Sequence, residues 1–324
     1  NMTKGMPDPR GIFTLSGIMN LYQPCIIQCW MYHANLLGLL FKKRRHVVWN
    51  IRCSDMDLNH YSMIYRLAVR CGALLSRLPE SIIINSHAGL QHHENLGYKP
   101  RHWEIIPNGF DTELFKPDEN ARSRIRAELN IPEDSHVIGM AARLDPMKDH
   151  HSFFDAALLL QETHPDVHFV LAGSGITPIN PEIAEYIQSS RNPSNFHLLG
   201  QRSDMPEVFN AIDIAISSSC SEGLPNTIGE AMATGIPCVV TDVGDSGMLV
   251  GDTGLVVVKA DPGALCRAWQ LLLDAGKGHL RALGKKARNR ICDHYHLQAM
   301  VQSYENLYTE LIVNTEIKDS PSIP

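Results

Sequence analysis

What most constrains this chain is the way two hydrophobic periods alternate along it. Short β-branched runs at 26–30, 47–51, 81–85 and 103–106 are separated by stretches whose apolar residues return every three or four positions. In 61–78, for example, Met63, Ile64, Leu67, Ala68, Cys71, Leu74, Leu75 and Leu78 fall on one helical face. Extended runs separated by helices specify parallel strands with helices laid across the sheet. A polar stretch at 107–132, rich in proline and charge, interrupts the pattern and reads as a domain junction with one short helix. Alternation resumes with strands at 137–141, 168–172, 196–199, 214–217, 237–241 and 255–258. Between them lie helices at 149–163, 181–190, 205–211, 225–234 and 262–274.

The expected fold class is therefore α/β, with two Rossmann-like doubly wound domains. Residues 1–112 form the first and 113–296 the second. Residues 297–324 are a closing helix that packs back toward the first domain, followed by a disordered tail from 314. The closing helix has Leu297, Met300, Val301, Tyr304, Leu307, Tyr308, Leu311 and Ile312 on one stripe. Before Pro24 there is only a weak helix at 12–21, with no strand feeding a glycine-rich loop. The first domain thus reads as truncated, with a bare sheet edge that favours a homo-oligomer.

Length and composition set the class of molecule. With 324 residues, 44% of them hydrophobic, both domains can bury a core. The longest apolar runs, 36–41 and 255–258, cannot cross a bilayer, and no signal pattern opens the chain. The eight cysteines are scattered singly, as free thiols are in a reducing cytoplasm. The sixteen histidines form no ligand pattern, so no metal is expected. Charge is uneven: residues 1–112 carry 12 Lys+Arg against 7 Asp+Glu, a net of +5, whereas 113–324 carry 17 against 28, a net of −11. A mildly basic first domain suits an anionic partner, such as a phosphate-linked acceptor or a membrane surface contacted peripherally, and no nucleic acid is expected. The densest run, Lys42-Lys43-Arg44-Arg45, follows an apolar helix pattern at 34–41, where cations suit a helix C-terminus.

Four stretches carry chemistry. The strongest is Ser221-Glu222-Gly223-Leu224-Pro225-Asn226-Thr227-Ile228-Gly229-Glu230. A turn of small residues enters a helix with Pro225 at its start, so the backbone N–H groups near Leu224 to Thr227 point outward and form an anion site. Asn226 and Glu230 share a helix face, and Glu222 lies on the loop ahead, so two carboxylates flank that site. The second stretch, residues 139–149, takes Arg143 and Lys148 off the carboxyl edge of the sheet, where they can neutralise a diphosphate without metal. In the third, Gly173 and Gly175 permit close backbone approach. In the fourth, Arg202 follows a strand end and borders a nucleotide base. Taken singly, each of these residues also fits an ordinary structural reading.

In order and spacing these elements resemble the retaining glycosyltransferases of family four, over residues 24–312. That resemblance implies the GT-B fold and a nucleoside-diphosphate sugar as substrate, with no cofactor. It implies that Arg143 and Lys148 hold the donor diphosphate, Glu230 the ribose, and Glu222 hydroxyls of the transferred sugar, with the amides after Gly223 on phosphate. His33, in Trp30-Met31-Tyr32-His33, matches a histidine that the family places at a strand end facing the sugar. Asn108 and Gly109, in Ile106-Pro107-Asn108-Gly109-Phe110, match the junction signature. The implied reaction moves a hexose-type sugar to a saccharide or lipid-linked acceptor in cell-surface polysaccharide synthesis, in the cytoplasm or at the inner face of the membrane. The alternatives are a non-catalytic nucleotide-sugar binding fragment and a sugar-nucleotide 2-epimerase. A nicotinamide dehydrogenase fits poorly, since no Gly-x-Gly-x-x-Gly follows a strand with an acidic residue spaced for a ribose.

Overall fold

The computed structural model describes residues 9–43, 45–54, 58 and 61–319. Arg44 of the basic run and the last five residues of the tail lie outside them. The chain divides into two compact units, one of Asn1–Pro107 with Met300–Pro324, the other of Asn108–Ala299.

Unit 1 opens with α1 (Pro9–Tyr22), then β1 (Ile26–Trp30), α2 (Tyr32–Leu39), β2 (His46–Ile51), α3 (Met63–Leu75), β3 (Ser81–Ile84), α4 (His87–Asn95) and β4 (Trp103–Ile105). The four strands are parallel and lie in chain order, β1-β2-β3-β4. Right-handed crossovers taken in one direction put their helices on one face of the sheet. Accordingly Val47, Trp49, Ile51, Ile82 and Ile84 pack with Ala68 and Val69 of α3. The opposite face, carrying Val48 and Ile83, would be bare. It is covered by α13 (Leu297–Asp319), whose Met300, Tyr304, Leu307 and Leu311 recur at helical spacing against it. Tyr304 also accepts a hydrogen bond from the Asn50 amide at 2.7 Å. The helix continues to Asp319, where the sequence suggested a disordered tail from 314.

Unit 2 contains α5 (Glu119–Glu128), β5 (Val137–Ala141), α6 (His150–Leu160), β6 (His168–Ala172), α7 (Pro181–Ser189), β7 (Phe196–Leu198), α8 (Met205–Asn210) and β8 (Ile214–Ser217). It continues with α9 (Asn226–Ala233), β9 (Cys238–Thr241), α10 (Ser246–Val250), β10 (Leu255–Val257), α11 (Pro262–Asp274) and α12 (Gly276–His294). Its six parallel strands run β10-β9-β8-β5-β6-β7, the doubly wound order read from β7 as 3-2-1-4-5-6. One core, around Phe153, Phe169 and Trp269, lies under α6 and α11, and the other, around Phe209, Met232 and Ile291, lies under α8, α9 and α12.

Helix α12 escapes a periodicity search because its buried positions are Leu280, Gly284, Ala287 and Ile291, two of them too small to register as hydrophobic. Gly284 is small for a reason: a Cβ there would meet the Gly235 carbonyl oxygen at 1.9 Å. All eight cysteines are free thiols. Among the described residues, no helix is long and apolar enough to cross a membrane.

Candidate functional site

Where strand order reverses in a doubly wound sheet, neighbouring connections leave to opposite faces and open a crevice at the carboxyl edge. In unit 2 that place is between β5 and β8, and the connections after β5, β8 and β9 are tied together there. The loop after β5 is bonded to the loop after β8 through Cys220 N–H to Met147 O at 2.8 Å, and through the Ser218 hydroxyl to the carbonyls of Lys148 and Asp149, both at 2.9 Å. Asp149 turns the chain in the left-handed region at φ 46° and caps α6 by accepting from Ser152 N–H. Gly244, after β9, is at φ 56°, and a Cβ there would strike the Glu222 carbonyl oxygen at 2.1 Å. The Asp245 N–H reaches Gly223 O at 2.8 Å, which fixes the far side of the same loop.

These ties set the side chains. The Lys148 ammonium is paired with the Glu222 carboxylate, with 24% and 12% of the two side chains exposed. Ser219 donates to the same Glu222 oxygen at 2.7 Å. Arg143 is largely exposed and held by Asp145, its Nη2 at 2.9 Å from the carboxylate. An exposed pair of that kind adds little stability, so its effect is orientation. Burial opposes the charge on Asp145, but the Met147 amide and Arg143 outweigh it and hold the carboxyl below its usual range. No side chain caps the first turn of α9, which leaves its amides without a side-chain acceptor beside that lysine–glutamate pair. Asn108 donates to Leu224 O at 3.2 Å and to Asn226 Oδ1 at 2.6 Å, anchoring the entry to α9. Behind it, the Phe110 ring fills the space a Cβ on Gly229 would need, 2.0 Å away.

The family model described as Glycosyl transferases group 1 matches residues 135–275. That match lies within unit 2. The chain is 30% identical over 220 residues to the UDP-Gal:alpha-D-GlcNAc-diphosphoundecaprenol alpha-1,3-galactosyltransferase of Escherichia coli, covering 66% of this chain and 56% of that protein. It thus spans little more than half the length of that relative. Over 327 residues it is 22% identical to the capsular polysaccharide biosynthesis glycosyltransferase CapM of Staphylococcus aureus, covering 96% of this chain and 83% of that one. Among solved structures, sucrose-phosphate synthase of Thermosynechococcus elongatus superposes with a TM-score of 0.82 at 20% identity, covering 94% of this chain and 78% of its own. HepE of Anabaena, solved in complex with UDP, gives 0.82 at 23% identity, covering 92% and 82%. At these identities the likeness is one of fold, and the fold is GT-B.

At this carboxyl edge Gly173 and Gly175 abut the Ala142–Leu144 segment that leads to Arg143, Lys148 pairs with Glu222, and Asn108, next to Gly109, reaches Leu224 and Asn226 on either side of Pro225, ahead of Thr227. Glu230 lies one helical turn further along α9. Burial alone pushes its carboxyl up to about 7. Arg202 is different: its guanidinium is held by Asp204 at 2.6 Å and Glu128 at 2.7 Å, which ties the β7 loop to the end of α5. That double clamp fixes the orientation of the Arg202 guanidinium just past the end of β7. His33 belongs to unit 1, as the second residue of α2, exposed, with its ring 5.9 Å from that of Tyr65. It follows Met31 at φ 75°, so the strand end of the sequence reading is a helix start.

Sequence reasoning missed Ser218, Ser219, Asp149 and Gly244, all of which shape the Lys148–Glu222 pair. The signal available was positional: polar or small residues directly after an apolar strand. Gly173, after β6, permits a close backbone approach, as its residue type suggested, and the backbone it meets is that of the loop after β5. Gly173 is at φ 155°, and a Cβ there would stand 2.0 Å from Ala142 O, so it seats the Arg143 loop against β6. Gly173→Ala should strain that contact by about 1–3 kcal/mol. The check is a lowered melting temperature together with weakened nucleotide binding; an unchanged protein would refute the seating role.

Proposed function

We propose that this chain is a retaining glycosyltransferase that moves a hexose-type sugar from a nucleoside-diphosphate sugar to a saccharide or lipid-linked acceptor, in cell-surface polysaccharide synthesis. The observation that carries this reading is the Lys148–Glu222 pair, held at the strand-order reversal beside the uncapped start of α9. A diphosphate placed there meets a lysine, an arginine and free helix amides, all fixed before the ligand arrives. Charge growing on the departing nucleoside diphosphate is then stabilised without reorganisation, which lowers the barrier to breaking the bond to the anomeric carbon. Glu222 accepts from hydroxyls of the sugar, and Glu230 from those of the ribose. The acceptor hydroxyl attacks from the side the leaving group vacates, its proton passing to the departing phosphate. The names of the relatives support uridine as the base and a membrane-associated acceptor.

Thermal shift with UDP, GDP, ADP and their sugar conjugates tests the donor site. Selective stabilisation of about 2.7 kcal/mol at a hundredfold excess over Kd, lost in Glu230→Ala, is the expected result. No response to any nucleotide, or an equal response in the variant, would sink the assignment. Released nucleotide without transfer would leave a binding module.

The pH dependence follows from Glu230. Its folded pKa of about 7 lies above the ordinary carboxyl value, so ionisation costs the fold stability progressively from about pH 4.5 to 7, and the loss is constant above that. Glu230→Gln should therefore stabilise the free protein at pH 8 and leave it unaltered at pH 4. Ribose hydroxyls favour the ionised form, so nucleotide binding near pH 6.5 should release a proton. Calorimetry in buffers of different ionisation enthalpy reads that release, and its persistence in Glu230→Gln would assign the proton elsewhere.

A further inference from the structure

A cavity of about 260 Å³ lies at the opposite edge of unit 2 from the crevice. Its lining includes Ile212 and Asp213, which immediately precede β8, and Ile236 and Pro237, which precede β9, so it sits at the amino ends of those strands. Thr234 and Gly235, just past the end of α9, also line it. The eight residues of α9 are about 12 Å long. One helix thus has its amino end at the crevice and its carboxyl end at this cavity.

Five cations reach the cavity: Arg122, Lys277, Arg281, Lys285 and Arg288. Against them stand Asp118, Glu119 and Asp213, a local net of +2 within residues 113–324, which sum to −11. Most of these charges are already used. Arg122 is paired with Asp213 at 2.8 Å, and Asp118 caps α5 through Asn120 and Ala121. Arg288 is spent on the carbonyls of Thr112, Phe115 and Ala233, which also closes the negative end of α9. Lys277 reaches Asp134 O at 2.9 Å. Arg281 and Lys285 remain. They are one turn apart on α12, and among the described residues neither makes a hydrogen bond or ion pair. Like charges at that spacing repel and weaken a helix, so their placement favours an anion between them.

We infer that this cavity is a second anion site, separate from the crevice, and that it takes a phosphate-bearing ligand. Arg281 supplies the planar fork that matches two phosphate oxygens, and Lys285 a compact charge beside it. The walls built by Arg122 and Arg288 are fixed from within, while Arg281 and Lys285 are exposed side chains. Its volume has room for a diphosphate or a phosphorylated sugar.

Calorimetric titration of the intact chain with pyrophosphate at low salt tests the site. Two binding events are expected. Arg281→Ala/Lys285→Ala should weaken one by at least about tenfold with an unaltered melting temperature, and Lys148→Ala should weaken the other. A double variant that titrates like the parent overturns the proposal. Cosedimentation with vesicles separates the two sources of such a phosphate, a free metabolite and a lipid headgroup. Binding to phosphatidylglycerol vesicles but not to phosphatidylcholine, abolished in the double variant, assigns a headgroup, whereas an α12-dependent pyrophosphate event alone assigns a soluble ligand. Loss of neither signal in the double variant refutes both.

Discussion

In the proposed transferase, Lys148→Ala is expected to slow sugar transfer by about 10²- to 10³-fold, the effect of removing one preorganised charge from a developing oxyanion. The loss should fall on kcat more than on KM, because the leaving diphosphate gains charge only as its bond to the sugar breaks. A complication comes from the pairing itself. Without the ammonium, Glu222 keeps Ser219 as a hydrogen-bond donor but loses its counter-ion in a largely buried place. Glu222→Gln, alone and combined with Lys148→Ala, separates the two causes. If the pair acts as a unit, the double variant will be about as slow as Lys148→Ala alone; if the losses multiply, each residue acts on a different part of the donor. An active Lys148→Ala enzyme would remove the lysine from the mechanism.

The largest loss of stability is expected at a residue far from the crevice. Arg126 is fully buried and donates to the carbonyls of Ala211, Pro132, Glu133 and Ser135 and to the Asp213 carboxylate at 2.9 Å. Burial pulls its guanidinium pKa down and Asp213 restores part of it. Asp213 in turn holds Arg122 and the Val137 N–H that starts β5. Arg126→Ala would remove one donor from each of four carbonyls and one of the two guanidinium partners of Asp213, at a cost of about 3–5 kcal/mol. For a unit of this size that lowers the melting temperature by roughly 10 °C. Adding Asp213→Asn should cost less than it does in the parent, since the two residues share one hydrogen bond and the amide oxygen still accepts from Val137. A fall of under about 1 kcal/mol for Arg126→Ala would mean that water replaces the guanidinium.

That network also marks the limit of what the sequence discloses. Buried parallel strands are continuous apolar runs, so β1, β5, β6 and β8 are legible to the residue. The crevice was legible for a related reason: Arg143, Lys148, Glu222 and Glu230 sit directly after strands or on the helix that follows one, where the topology dictates their neighbourhood. Arg126 and Asp213 are 87 positions apart, and Arg202 and Glu128 are 74 apart. No local pattern announces either pair. The Arg202 clamp in particular fastens the loop after β7 to the end of α5, a role its local sequence does not signal. Helix α12 was hidden by chemistry instead of distance, because close approach of backbones requires residues that hydrophobic periodicity does not count.

The cover that α13 provides for unit 1 has a consequence for biosynthesis. Val48 and Ile83 leave the ribosome with the first sheet, yet Leu307 and Tyr304, which shield them, follow only after all of Asn108–Ala299 has been made. At roughly 5–20 residues per second, that apolar face waits on the order of ten to forty seconds for its partner. During this interval the nascent chain presents a sticky, half-finished sheet, the kind of surface that a chaperone binds and that a stalled or prematurely terminated product would leave permanently open.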